Sequence, residues 1–260
     1  MKINVHAGHN PDGKVACGAI GLIKESTEAR AVKNLVVSKL QSLGHTVYDC
    51  TCDNGKSQSD VLQKIVKMCN AHSVDLDVSI HFNSGASDRA GNGKTTGTEV
   101  LVYATGSKSY SFALNIVKAI SALGFRNRGV KSRTDLYFLK HTNSPALLVE
   151  CCFVDDADDA KLFNAEAMAN AIVKGITGQS VSQPTKTKPT PTKTPASTGK
   201  EFKVKITADS LNVRSGAGTS YKVTTTVKKN QVFTIVEEKN GWGKLKSGAG
   251  WISLKYVKKL

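Results

Sequence analysis

The sequence predicts an α/β domain, built on a mostly parallel sheet flanked by helices, followed by a flexible linker and a small all-β barrel. Three observations carry this. Apolar strand-like runs alternate with helical patterns up to about residue 177. The stretch GQSVSQPTKTKPTPTKTPASTGK (178–200) is almost devoid of apolar side chains. After it, turn residues recur every eight to twelve positions between short β-type runs, the pattern of a compact barrel. The expected division is therefore 1–177, 178–200 and 201–260.

Along the first part, KINV reads as a strand, and Val32, Leu35, Val36, Leu40 and Leu43 recur at helical spacing from about Ser26 until Gly44 stops the helix. HTVYDC is a strand, SDVLQKIVKMCNAH a helix, LDVSIHF a buried strand and GTEVLVYA another. YSFALNIVKAISALG is a helix, PALLVECCFV an apolar strand and AEAMANAIVKGITG the closing helix. Such near-continuous apolar strands suit a sheet covered on both faces. The Pro/Thr/Lys-rich segment buries too little surface to offset its ordering entropy, so it is expected to be an extended tether.

Composition excludes several classes. No apolar run approaches the roughly 20 residues that span a bilayer, and MKINVHAGH does not read as an export leader, so synthesis in a cytoplasm without a signal peptide and no membrane insertion are expected. The six cysteines fit neither a small disulfide scaffold nor a paired CxxC zinc site and are expected to be reduced thiols, mostly buried. Of the net charge of +15, residues 201–260 hold +8, from 12 Lys/Arg against 4 Asp/Glu; 178–200 hold +4 and 1–177 only +3. A basic C-terminal third suits a polyanionic partner, which charge alone leaves open as nucleic acid, anionic lipid or the anionic polymers of a bacterial wall. Neither part carries a nucleic-acid reading motif.

In open α/β sheets, sites form at the carboxyl ends of the strands. His9 ends the first strand, His81 ends VSIH, Glu150 ends ALLVE and Glu25 stands just before the first helix. Two histidines and a carboxylate form a zinc set with one position open for water, and a second carboxylate can take the proton from that water. On that division His9, Glu25 and His81 are ligands of Zn2+ and Glu150 is the base. Singly, each residue has an ordinary reading: a hydrogen-bonded histidine, or an acid favoured at a helix N-terminus. Glu150 is the most telling, because an acid on so apolar a strand needs a partner. His6 lies on the strand itself and is the weaker metal candidate; His45 and His72 are expected to be solvated, and His141 to lie at the rim.

INVHAGHN, IKESTEAR, DVSIHFNSG, GTEVLVY, NRGVKSRTDLYFLK and ALLVECCFVDD, in this order, resemble the zinc-dependent N-acetylmuramoyl-L-alanine amidases of the family-3 type, notably those in endolysins of clostridial phages. The resemblance covers nearly all of 1–177. It implies His9, Glu25 and His81 as zinc ligands and Glu150 as the catalytic acid/base; Glu28 is the competing acid, and the interval from Glu25 to Gly44 matches the family better. VHAGHN replaces the commoner DPGHGG opening, so the residues flanking His9 are not carried over. Asn83 is expected to orient substrate or to serve only as a turn residue. ADSLNVRSGAGTSYKV and GWGKLKSGAGWISLKYV resemble a bacterial SH3-type wall-binding domain, with Trp242, Trp251, Tyr221 and Tyr256 as its aromatic candidates, at least two of them expected in the barrel core.

The resembled reaction is hydrolysis of the amide between N-acetylmuramic acid and L-alanine in bacterial peptidoglycan, as in phage-driven host lysis. A bacterial autolysin or spore-cortex amidase, a zinc peptidase cutting within the stem peptide, and a binding-only protein are the alternatives.

Overall fold

The computed structural model describes residues 1–179 and 201–260, except 215, 219, 220, 222, 240 and 248. Nearly all of the expected linker, from 180 to 200, lies outside the described residues. The chain divides into two units, Met1–Thr185 and Lys186–Leu260.

The first unit holds strands β1 (Lys2–Ala7), β2 (Thr46–Asp49), β3 (Leu76–Asn83), β4 (Thr98–Val102), β5 (Asn127–Ser132) and β6 (Ala146–Phe153) in one sheet of order β2-β1-β3-β6-β4-β5. Pairings β1–β2, β1–β3, β3–β6 and β4–β5 are parallel. Only β4–β6 is antiparallel, so the sheet is mostly parallel as the sequence predicts.

Helices α1 (Glu25–Ser42), α3 (Tyr110–Ser121) and α6 (Ala165–Thr177) supply one layer. Their Val32, Val36, Leu40, Ile116, Ile120 and Ile172 meet Ile3, Val5, Val78, Ile80, Val100 and Val149 of the sheet in one core. Each such side chain, fully buried, contributes about 1.5–3 kcal/mol. Helix α1 stops where Gly44 adopts φ 84°, a left-handed turn that a side chain would disfavour. The opposite face of the sheet carries α2 (Gln58–Asn70) and α4 (Tyr137–His141), whose Val61, Ile65 and Phe138 pack with Leu101 and Leu148. Ser57 caps α2 by accepting from the Asp60 amide.

Three elements lack the signals of the others. Strand β5 has a single apolar residue and a half-exposed edge position, α4 is five residues long, and α5 (Ala157–Leu162) is short and polar, capped by Asp156. All six cysteines are free; Cys50, Cys52, Cys69, Cys151 and Cys152 are buried and Cys17 half-buried. Among the described residues no helix is long and apolar enough to cross a membrane.

The second unit is a seven-stranded antiparallel sheet of order β13-β7-β10-β11-β12-β8-β9, formed by β7 (Phe202–Ile206), β8 (Ser210–Arg214), β9 (Val223–Lys228), β10 (Val232–Lys239), β11 (Trp242–Leu245), β12 (Trp251–Ser253) and β13 (Val257–Lys259). Its core is aliphatic: Val204, Ile206, Leu211, Val213, Val227, Ile235, Leu245 and Ile252. The expectation that at least two of the four candidate aromatics fill the barrel is therefore wrong. Trp242 and Trp251 are half-buried outside that cluster, and Tyr221 and Tyr256 are exposed.

Candidate active site

Strand β1 alternates Ile3, Val5 and Ala7 into the main core, leaving Asn4 and His6 on the opposite face, and Gly8 then turns the chain to His9. Glu25 is the first residue of α1 rather than the residue before it. His81 and Glu150 lie within their strands, which run on to Asn83 and Phe153 through a register shift just after the His81–Glu150 pairing. The bulge keeps the strands paired while breaking the regular alternation there.

The structure brings His9, Glu25 and His81 together. One Glu25 oxygen, Oε1, lies 3.0 Å from His81 Nδ1 and 3.2 Å from His9 Nε2, and also accepts from the Phe82 amide at 3.2 Å. Glu25 Oε2 accepts from the Ala19 amide at 2.7 Å. The imidazoles meet edge-on with centroids 4.8 Å apart. Burial pushes the Glu25 carboxyl upward, but hydrogen bonds from His81 and His9 outweigh it and hold the group well below the usual carboxylate range. Burial also lowers the His81 imidazole, with Glu25 opposing.

Glu150 is adjacent to His81 across the β3–β6 pairing, and its Oε2 is buried without a hydrogen-bond partner. Burial, reinforced by the charges of Glu25 and Glu99, pushes its carboxyl up to about 8. Both residues line a cleft of about 220 Å³ with His6, Arg133 and an apolar wall that includes Leu136 and Phe138.

Three donors within 4.8 Å of one another fit a divalent metal: two imidazoles and one carboxylate are a zinc-type set. The backbone is shaped to admit them, since a Cβ at Gly8 would overlap the His81 ring and one at Gly18 would meet Glu25 and His9. Glu28, half-buried on α1, is outside this cluster.

The other histidines do something else. His6 is 1% exposed, edge-on to Phe138 at 4.7 Å, and stays outside the donor set. Burial lowers its imidazole to about 3, so it is neutral. His45 and His72 are half-buried, which corrects the expectation that they are solvated: His45 Nδ1 meets the N-terminal amine at 3.1 Å, and His72 stacks on Tyr48 at 3.9 Å. His141 is exposed against Tyr137 and does not line the cleft.

Sequence reasoning did not single out Glu99, Arg30 or Arg133. Glu99 accepts from Asn83 at 3.0 Å and from Arg128 at 2.8 Å and pairs with Glu150 across β4 and β6. Arg30 donates to the His9 carbonyl at 2.6 Å and fixes that loop. An acid interrupting the apolar run GTEVLVY is the one signal that marks Glu99 in the sequence.

Three loops behind the cluster are laced together. Leu22 donates to the Val154 carbonyl at 2.7 Å and Val154 to the Asn83 carbonyl at 2.8 Å. The Asp155 carboxylate accepts from the Gly85, Ala86 and Ser87 amides, Asp158 from Asn92, Gly93 and Lys94, and Asp159 from Gly97 and Phe153.

This architecture and cluster are those of an α/β hydrolytic domain joined to a small β module. The chain belongs to the family described as N-acetylmuramoyl-L-alanine amidase, which matches residues 3–179, and residues 209–258 match the bacterial SH3 domain. It is 37% identical to a Clostridium perfringens protein over 164 residues, 63% of this chain and 47% of the relative. It is 31% identical to the endolysin of Bacillus phage SPP1 over 175 residues, 65% of this chain and 60% of that one. The catalytic domain of the CD27L endolysin targeting Clostridia difficile superimposes with TM-score 0.62 at 25% identity, covering 70% of this chain and 99% of that domain. The chain spans about half the length of the two C. perfringens relatives it matches.

Proposed function

We propose that this chain hydrolyses the amide between N-acetylmuramic acid and the L-alanine of the peptidoglycan stem. Residues 1–177 would form the catalytic part, 178–200 the tether and 201–260 a wall-binding module. The observation that carries the reading is the buried, unpartnered Glu150 oxygen beside the three-donor cluster.

His9, Glu25 and His81 would hold Zn2+, which when bound polarises a carbonyl and acidifies water. Glu150, as the carboxylate, takes a proton from the attacking water on its free oxygen and returns one to the departing alanine nitrogen. The Ala19 and Phe82 amides fix the Glu25 carboxylate beside both imidazoles. The Leu136 and Phe138 wall excludes water from one side of the cleft.

The basic module, with exposed Tyr221 and Tyr256, suits peptidoglycan and associated anionic wall polymers. Likeness to a phage endolysin and an endolysin catalytic domain supports a role in host lysis, with action on the wall after release. Digestion of purified wall tests the reaction. New amino-terminal alanine with free muramic lactyl carboxyl supports the amidase, whereas a new end elsewhere in the stem supports a peptidase.

A further inference from the structure

The donor cluster and its surroundings are acidic: Glu25 and Glu99 both act electrostatically on Glu150. Any anionic substrate group entering the cleft meets that repulsion. Among the described residues, Arg133 is the only lysine or arginine lining the cleft. Its position is fixed, because its amide donates to the Val102 carbonyl at 2.9 Å just beyond β5. Asp135 takes Nε at 2.8 Å and Nη2 at 2.7 Å, holding one edge of the guanidinium fork. Nη1 has no hydrogen bond among the described residues, and the side chain is 45% exposed.

We propose that Arg133 receives a carboxylate on the peptide arm of the substrate, seating that arm along the Leu136–Phe138 wall and making it a specificity-determining residue. This rests on the amidase reading above. The glycan beside the scissile bond offers hydroxyl and acetamido groups, whereas the peptide arm offers carboxylates, the one nearest the scissile bond being the α-carboxylate of the γ-linked D-glutamyl residue next to the alanine. In walls where that group is amidated the charge is absent. A planar guanidinium with one edge pre-ordered by Asp135 favours the free acid over the amide.

The test uses two soluble probes, N-acetylmuramoyl-L-alanyl-γ-D-glutamyl-L-lysine and its α-amidated counterpart, with the zinc-loaded full chain. The free acid is expected to win by about tenfold in kcat/KM, all of it in KM, the size expected for one charge-assisted hydrogen bond. Arg133→Met brings the two probes within about twofold with kcat nearly unchanged, and Arg133→Lys restores part of the preference. Calorimetric binding of both probes to a Glu150→Gln chain, with and without Arg133→Met, reads the same preference without turnover. An unchanged ratio in Arg133→Met, or a parent that does not distinguish the probes, overturns the role of Arg133. Equal cleavage of both probes leaves the amidase reading standing while that role falls. Preferential binding of the free acid without cleavage does the opposite.

Discussion

His81 and Glu150 face each other across the parallel β3–β6 pairing, one in the donor cluster and the other with a buried, unsatisfied oxygen. If the former holds metal and the latter moves protons, their substitutions fail differently. Glu150→Gln should keep its zinc and lose activity by about 10²–10⁴. His81→Ala should lose zinc and, with it, the thermal stabilisation that zinc gives the parent, about 2.7 kcal/mol at a hundredfold excess over Kd. Zinc content, a melting series with added metal and amine release from wall read all three; normal lysis by Glu150→Gln would make that residue structural.

Gly8 offers a test that touches no donor atom. A methyl group there must displace the His81 imidazole, so Gly8→Ala should weaken zinc binding about 10- to 100-fold, as disturbing a ligand's support does. Circular dichroism should be unchanged, because Gly8 lies beyond the end of β1. Full zinc affinity in this variant would show that the ring can relax at no cost.

Asp77 provides a pH signature remote from the cluster. It is fully buried with Asn4 donating to one oxygen at 2.6 Å and the other oxygen unpartnered, and burial raises its carboxyl to about 6. Between the ordinary carboxylate value and about 6, the folded chain holds a proton that the unfolded chain has released. Stability therefore falls as pH rises through that window and is level above it. At about 1.4 kcal/mol per pH unit, burying the charge at pH 7 costs up to about 3 kcal/mol. Asp77→Asn should raise the urea midpoint at pH 7.5 and flatten the pH 4–6 slope; an identical slope would assign it to other acids.

For the C-terminal module, charge and aromatic contact can be separated. Raising NaCl from about 0.05 to 0.5 M should release residues 201–260 from wall several-fold if the +8 charge dominates. Tyr221→Ala with Tyr256→Ala should weaken what remains at high salt by about fivefold, since both rings are exposed and outside the core. Pull-down on purified wall checks both, and salt-insensitive binding would point to a neutral wall ligand.

The long periodic elements were legible because their burial is one-sided or total: α1 shows it in Val32, Val36 and Leu40, and β6 in ALLV. Strand β5, α4 and α5 were not, since NRGVKS, YFLKH and ADDAKL are held by neighbours and caps rather than by their own apolar pattern. In the site, His9, Glu25, His81 and Glu150 could be named because ionisable residues at strand ends stand out against apolar runs. Arg133 could not, because a charge on an exposed loop looks the same whether it faces solvent or a cleft; Glu99, on the internal strand β4, was marked only by an acid within the apolar run GTEVLVY. The aromatics of the second unit were misplaced for the reverse reason: alternation shows which residues share a face, but not that valine and isoleucine fill the interior first.

The lacing of the 22–23, 85–97 and 153–159 segments gives the site a kinetic character of its own. No one of them can open without releasing amides of the others, so they form a single cooperative unit for hydrogen exchange. The amides of Leu22, Gly85, Ser87, Gly97, Phe153 and Val154 should then exchange with a common rate, and an ion held by His9, Glu25 and His81 should slow them all together. Metal loading would in this way be readable along the backbone, in segments that hold no proposed ligand.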